Sequence, residues 1–225
     1  MASRRGEEPG RLALSRLCEA YWRPLYVFAR SKGMGREAAE DLVQGFFAHF
    51  LERDYLSDLD PRKGRFRSYL LAAFLHFISN DRDRQRARKR GGRTVALPLE
   101  IDFADGERRF VVEPRATSDP RREYERQWAL SVVERATLEV HRRYAAEGRE
   151  SLFDRLSGFL PGGSDDAPYR QIAHELAMTE DAVKMAVSRL RKRFALVLRE
   201  QIVATVTDPS EVEDEIRFLL ASIVG

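Results

Sequence analysis

One cysteine, Cys18, stands in a chain of 225 residues, so neither an internal disulfide framework nor a cysteine-cluster zinc site can be assembled from it. The histidines are as sparse: His49, His76, His141 and His174 are scattered and include no i, i+4 pair. There is no glycine-rich phosphate loop, no G-x-S-x-G and no H-E-x-x-H. Acidic residues cluster around 100–113 and 208–215, but nothing in the pattern would desolvate a pair of them for acid–base work. The longest nearly apolar run, YLLAAFLHFI (69–78), is about half of what a bilayer crossing needs. The opening MASRRGEEPG is charged and lacks the short apolar core of an export signal. These absences predict a soluble, cytoplasmic protein with no metal, no cofactor, no membrane partner and no enzymatic centre of its own.

Hydrophobic residues make up 43% and charged residues 33%, which excludes a collagen or a low-complexity disordered chain. A net charge of +3 conceals 39 basic against 36 acidic residues, and the pI is near 9.1. That balance leans toward a polyanionic partner, and placement decides more than the sum.

Helical periodicity dominates. Leu14, Leu17, Tyr21, Leu25 and Phe28 recur at steps of three and four, with Pro24 predicting a kink or two short helices. Gly33 and Gly35 mark a turn. Residues 36–55 place Leu42, Val43, Phe46, Phe47 and Phe50 on one apolar face. Residues 66–90 begin aromatic and end almost purely basic. Composition then shifts: residues 91–120 carry Gly and Pro and no helical period, with VALPL and FVV as the only candidates for short strands. Asp119-Pro120 reads as an N-cap followed by proline at the first helical position. The next helix has a stripe of Leu130, Val133, Thr137, Val140 and Tyr144 and ends at Gly148. A short helix around Leu152, Leu156 and Leu160 stops at Pro161-Gly162-Gly163, and 168–205 form a helical pair. The tail from Thr207 is acidic, then apolar. The expected fold is all-α: a disordered 1–10, a helical domain over 11–93, a flexible linker over 94–120, a second helical domain over 121–205 and a C-terminal extension with a helix over 206–225.

Three stretches can carry function. YRQIAHEL (169–176), the turn AMT (177–179) and the helix that follows read as a helix-turn-helix. Ile172, Ala173 and Leu176 point inward, Thr179 caps the second helix, and Glu180 and Asp181 sit at its positive end. Val183, Val187, Leu190 and Phe194 make a buried stripe opposite Lys184, Met185, Ser188, Arg189, Arg191 and Lys192. A one-sided basic helix braced by another suits the DNA major groove; the plainer reading is a solvated face of a bundle. The second stretch is the aromatic-to-basic helix. Phe66, Tyr69, Phe74, His76, Phe77 and Asn80 precede a basic track that includes Arg82, Arg84 and Arg86. Aromatics beside such a track suit single-stranded DNA, and helical spacing suits a core equally. The third, EDLVQGFF (40–47), sets Asp41, Gln44 and His49 off the apolar stripe and is by itself an ordinary amphipathic helix. Gly45 inside it costs about 1 kcal/mol relative to Ala.

The order DLVQ-FF, then FRSYLLAAFLHFISN with a basic run, then PYRQIAHELAMTEDAVKMAVSRLRKRF, resembles a bacterial RNA polymerase sigma factor of the extracytoplasmic-function (ECF) type, which has regions 2 and 4. The likeness covers residues 11–93 and 121–205. It implies core RNA polymerase and promoter DNA, duplex and single-stranded, as partners, with an anti-sigma factor or another regulator as a further partner class. Asp41, Leu42, Gln44 and Phe47 correspond to the polymerase-binding surface. Phe66, Arg67, Tyr69, His76 and Asn80 correspond to the minus-ten reader, with Arg82, Arg84 and Arg86 holding backbone. Thr179, Lys184, Met185, Ser188 and Arg189 correspond to the minus-thirty-five reader, with Arg191, Lys192 and Arg193 on phosphates. The linker would thread the polymerase channel. Tyr69 stands where tryptophan is common, His76 where asparagine is frequent, Gly45 where an acid is common, and Ala177 where the turn usually has glycine. Ala177 must therefore avoid a left-handed conformation or accept strain. The tail lies outside the pattern and is expected to dock on region 4 or to serve regulation. Rival readings are a helix-turn-helix regulator that acts without polymerase and a DNA-processing enzyme that uses its C-terminal half for targeting.

Overall fold

The computed structural model describes residues 20–52, 65–88, 103, 104, 106, 107, 119–163, 167–203, 205, 206 and 208–224. Among them the backbone is helical with connecting turns and contains no strand, so the described part of the protein is all-α. In chain order the helices are α1 (20–31), α2 (Arg36–Glu52), α3 (Phe66–Arg88), α4 (Pro120–Ala146), α5 (Glu150–Leu156), α6 (Tyr169–Glu175), α7 (Glu180–Val203) and α8 (Val212–Val224). Short 3-10 turns occupy Ser157–Phe159 and Pro209–Glu211, and 103, 104, 106 and 107 are also helical. Residues 1–10, Cys18, VALPL and FVV lie outside the described residues. The chain divides into two compact units between Trp128 and Ala129, a point inside α4.

The first unit is built on aromatic packing. The predicted stripe of α2 is buried throughout: Leu42, Val43, Phe46, Phe47 and Phe50. Phe46 is its hub, with ring centroids 5.0 Å from Phe74 and 5.7 Å from Phe77, both on α3. Phe28 of α1 meets Phe74 at 6.2 Å and Tyr124 at 6.5 Å. Each buried phenylalanine contributes about 1.5–3 kcal/mol, and edge-to-face pairing adds about 0.5–1.5 kcal/mol. The Phe77 ring lies over α2 at Gly45, where a Cβ would stand 3.6 Å from Phe77 Cζ, an ordinary contact, so the packing does not demand glycine. Residues 20–31 are helical without a break at Pro24. Asp119 caps α4 as expected, its Oδ1 accepting from Arg121 N–H at 2.9 Å, with Pro120 as the first helical residue. The first turns of α4 belong to this unit. Tyr124 is buried and its hydroxyl donates to the Arg67 carbonyl at 2.9 Å, while Trp128 is fully buried. Both neighbours of the segment 94–120, α3 and the start of α4, therefore lie in the same unit.

The second unit gathers the rest of α4 with α5 to α8. Val133, Val140 and Tyr144 are buried as the stripe predicts, whereas Leu130 and Thr137 are half-buried. Val132 and Ala136 complete the inner face. Phe153 packs on Tyr144 at 5.7 Å and Leu156 and Leu160 follow it inward. Along α7 the buried side is Val183, Ala186, Val187, Leu190, Phe194, Val197, Leu198 and Ile202. The tail helix α8 packs on α7, with Val212 and Leu219 buried and Arg199 ion-paired to Glu213. Docking of the tail on this unit is thus met as a structural expectation.

Three helices end in the same way. At Gly33, Gly148 and Ala177 the backbone turns left-handed, with φ of 85°, 69° and 51°. In each the next amide reaches back a full turn and more: Met34 to the Ala29 carbonyl, Arg149 to Tyr144 and Met178 to Ala173. These are Schellman closures, which favour glycine at the left-handed position. Ala177 resolves the expectation drawn from the sequence: it accepts the strained conformation, the single non-glycine to do so among the described residues. The strain is of the order of 1–2 kcal/mol for an L-residue.

Candidate nucleic-acid interface

The second unit presents α6, its strained turn and α7 as a helix-turn-helix. Thr179 caps α7, its Oγ1 accepting from Ala182 N–H at 3.2 Å. Glu180 and Asp181 occupy the first turn, where the helix dipole favours them. Ile172 and Ala173 are buried against α7, and Leu176 is half-buried. Anchoring of the inner stripe leaves Lys184, Met185, Ser188, Arg189, Arg191 and Lys192 exposed. Met185 keeps 55% of its surface in solvent, and Leu196 further along the same helix keeps 61%.

The cations of this face are not equivalent. Lys184 Nζ sits 3.3 Å from both Glu180 and Asp181, whose hydrogen bonds raise its pKa above the usual lysine range. Arg191 Nε donates to the Phe159 carbonyl at 3.2 Å, which aims the guanidinium across the end of the short 3-10 turn. Arg193, expected on phosphates, is engaged within the protein. Its Nη1 donates to both carboxylate oxygens of Glu147 at 2.8 and 2.9 Å, and its guanidinium lies 5.0 Å from the centre of the Tyr144 ring. A guanidinium held by a carboxylate and stacked on an aromatic face stitches α7 to the end of α4. The bonds from Arg193 hold the Glu147 carboxyl below the usual glutamate range.

In the first unit α3 exposes Ala72, Leu75, His76, Ser79 and Asn80 along one edge. The Asn80 amide donates to His76 Nδ1 at 3.0 Å. Both side chains are exposed, so the pair presents ring and amide polar groups to solvent. Leu75, 42% exposed, sits beside them and was not among the expected site residues; within a continuous apolar run its sequence position looks like core. Phe66 is half-buried, its ring 5.4 Å from Tyr21 and 6.4 Å from Tyr69, which is itself half-buried.

Three further positions are corrected by burial. Arg67 keeps only 4% of its surface, its guanidinium stacked 5.0 Å from the centre of the Trp128 ring, so it braces α3 against α4 and cannot reach a nucleic acid. Leu42 and Phe47 are core residues of α2, so neither side chain is available as the contact surface expected of it. Asp41 and Gln44, on the same helix, are exposed. Arg82, Arg84 and Arg86 fall on the last turns of α3, where their side chains lie outside the described residues.

Among the described residues no three His, Cys, Asp or Glu side chains are grouped to hold a metal ion. Among them too, no helix is long and apolar enough to cross a membrane. No family model, no curated protein and no solved structure matches the chain.

Proposed function

We propose that this protein is a sigma-type transcription initiation factor of the extracytoplasmic-function kind, in which two helical modules contact one promoter while core RNA polymerase performs the chemistry. The observation that carries the reading is the exposed row Met185, Arg189 and Lys192 on a helix whose other side is anchored and whose start is capped. On this reading Ser188 and Arg189, in the third turn of the helix, reach toward base edges, and Lys192 a turn later meets phosphates. The exposed His76–Asn80 edge supports a second contact, with polar groups available to the edge of an unstacked base, and Tyr69 lies about two turns earlier on the same helix. Asp41 and Gln44 are the side chains left to meet the polymerase. The protein works in the cytoplasm on this reading and is not itself an enzyme.

The test is transcription from a candidate promoter with purified core polymerase. Addition of the protein is expected to yield a specific transcript that is lost when Arg189 and Lys192 are both changed to Ala. Tight binding to duplex DNA by the protein alone, with no transcript, overturns the reading in favour of a helix-turn-helix regulator. Binding is expected to weaken steeply with salt, by about 0.9 log units per log unit of salt for each phosphate neutralised.

A further inference from the structure

Trp22, Tyr26 and Arg30 recur every four residues and therefore share one face of α1. None of them contributes to the interface described above. That face is covered by a turn from the same chain that is far away in sequence. The Phe103 ring packs edge-on against Trp22 at 5.4 Å and tilted on Tyr26 at 5.7 Å. One helical turn later the Glu107 carboxylate receives Arg30 Nε at 3.0 Å and Nη2 at 2.9 Å, a two-pronged fork, together with the Tyr26 hydroxyl. Between the two anchors Gly106 presses against the rings: a Cβ there would stand 2.8 Å from Trp22 Cζ3 and 3.2 Å from Tyr26 Cδ1.

We propose that the Trp22–Tyr26–Arg30 face is a docking surface for an acidic aromatic peptide, occupied here by the chain's own Phe103–Glu107 turn. The geometry defines what fits. An occupant needs an aromatic ring, then a carboxylate four positions on, with glycine immediately before the carboxylate because any side chain would meet Trp22. Arg30 and Glu107 keep 17% and 18% of their side-chain surface in solvent, so a competitor can enter from the edge. Tethering in the same chain gives the resident turn a high effective concentration, which a free partner segment must overcome. The turn is therefore an intramolecular placeholder, and a partner protein carrying the same pattern displaces it.

A labelled synthetic peptide of residues 101–109, IDFADGERR, tests this directly by fluorescence anisotropy against the full-length chain. The F103A/E107A chain, with its own turn disabled, is expected to bind the peptide saturably and about tenfold or more tighter than the wild-type chain, whose turn competes. A peptide with the Gly106→Ala change is expected to bind weakly, and adding R30A to the receptor is expected to abolish binding. Equal binding to both chains, or no binding to either, overturns the proposal. Circular dichroism melting checks that the double variant is folded. If it is not, E107Q alone, which keeps the shape of the side chain, is put through the same comparison. Neither polymerase nor DNA enters the assay, so its outcome is independent of the proposed transcription role.

Discussion

The exposed helix α7 and the exposed edge of α3 differ in how they are made. On α7, apolar and basic residues alternate with the helical turn, so one side is anchored and the other is left to solvent. On α3 the first half is apolar nearly all round, and neighbours on two sides, α2 and the start of α4, take most of it. The same residue types therefore end differently. Arginine is exposed at Arg189 and buried at Arg67; an aromatic ring is sealed at Phe74 and half-open at Tyr69. A basic or aromatic residue in a sequence marks a contact surface only where the opposite side of its helix is already spoken for.

The sharpest way to break this contrast is at Trp128. Trp128→Ala removes the ring that both fills the core and carries Arg67, and is expected to destabilise the first unit by about 3–5 kcal/mol in urea unfolding. Survival of the fold with less than about 1 kcal/mol lost would show that Arg67 is not held as described. Arg189→Ala has the opposite profile. Duplex binding is expected to fall by about 1–3 kcal/mol, with stability unchanged to within about 0.5 kcal/mol, measured by DNA titration and thermal melting side by side. Equal loss of both would place Arg189 in the framework.

Smaller effects sharpen the comparison of helix ends and interiors. Ala177→Gly relieves a left-handed alanine and is expected to stabilise the second unit by up to about 1 kcal/mol, the unfolded-state entropy of glycine offsetting part of the gain. Gly45→Ala adds a methyl group at ordinary contact distance from Phe77 inside α2 and is expected to raise stability by up to about 1 kcal/mol in thermal melts. A loss instead would mean that Phe77 cannot yield the space. The smallest effect concerns the docked turn. Burial pushes the Glu107 carboxyl up, but the hydrogen bonds from Tyr26 and Arg30 outweigh it and hold the group below the usual glutamate range. A lowered folded-state pKa contributes stability above the unfolded value of about 4.3 and loses it as pH falls through the folded value. Trp22 emission, taken as the difference between wild type and E107Q, is expected to change over that acidic window and to stay flat from neutral pH down to about 5.

Much of the fold was readable because it is local. The Asp119-Pro120 start, the Thr179 cap, the Gly33 and Gly148 ends and the stripes of α2 and α7 each depend on residues within one or two turns. The candidate interface was readable to the same extent. Lys184, Met185, Ser188, Arg189 and Lys192 are exposed because the stripe opposite them is strong. What escaped was non-local. Arg193 pairs with Glu147 across 46 residues and Arg30 with Glu107 across 77, and no periodicity links such positions. Leu75 escaped for a related reason: inside a continuous apolar run, only the placement of neighbouring helices says which side stays wet.

Helix content, helix ends and the basic side of α7 follow from the order of residues, since they depend on propensity, capping and a repeat of 3.6. Which cations remain available, which aromatics are sealed and which distant segment lies over α1 were decided by packing. Those outcomes depend on burial and ion pairing between residues that the chain brings together only once it has folded.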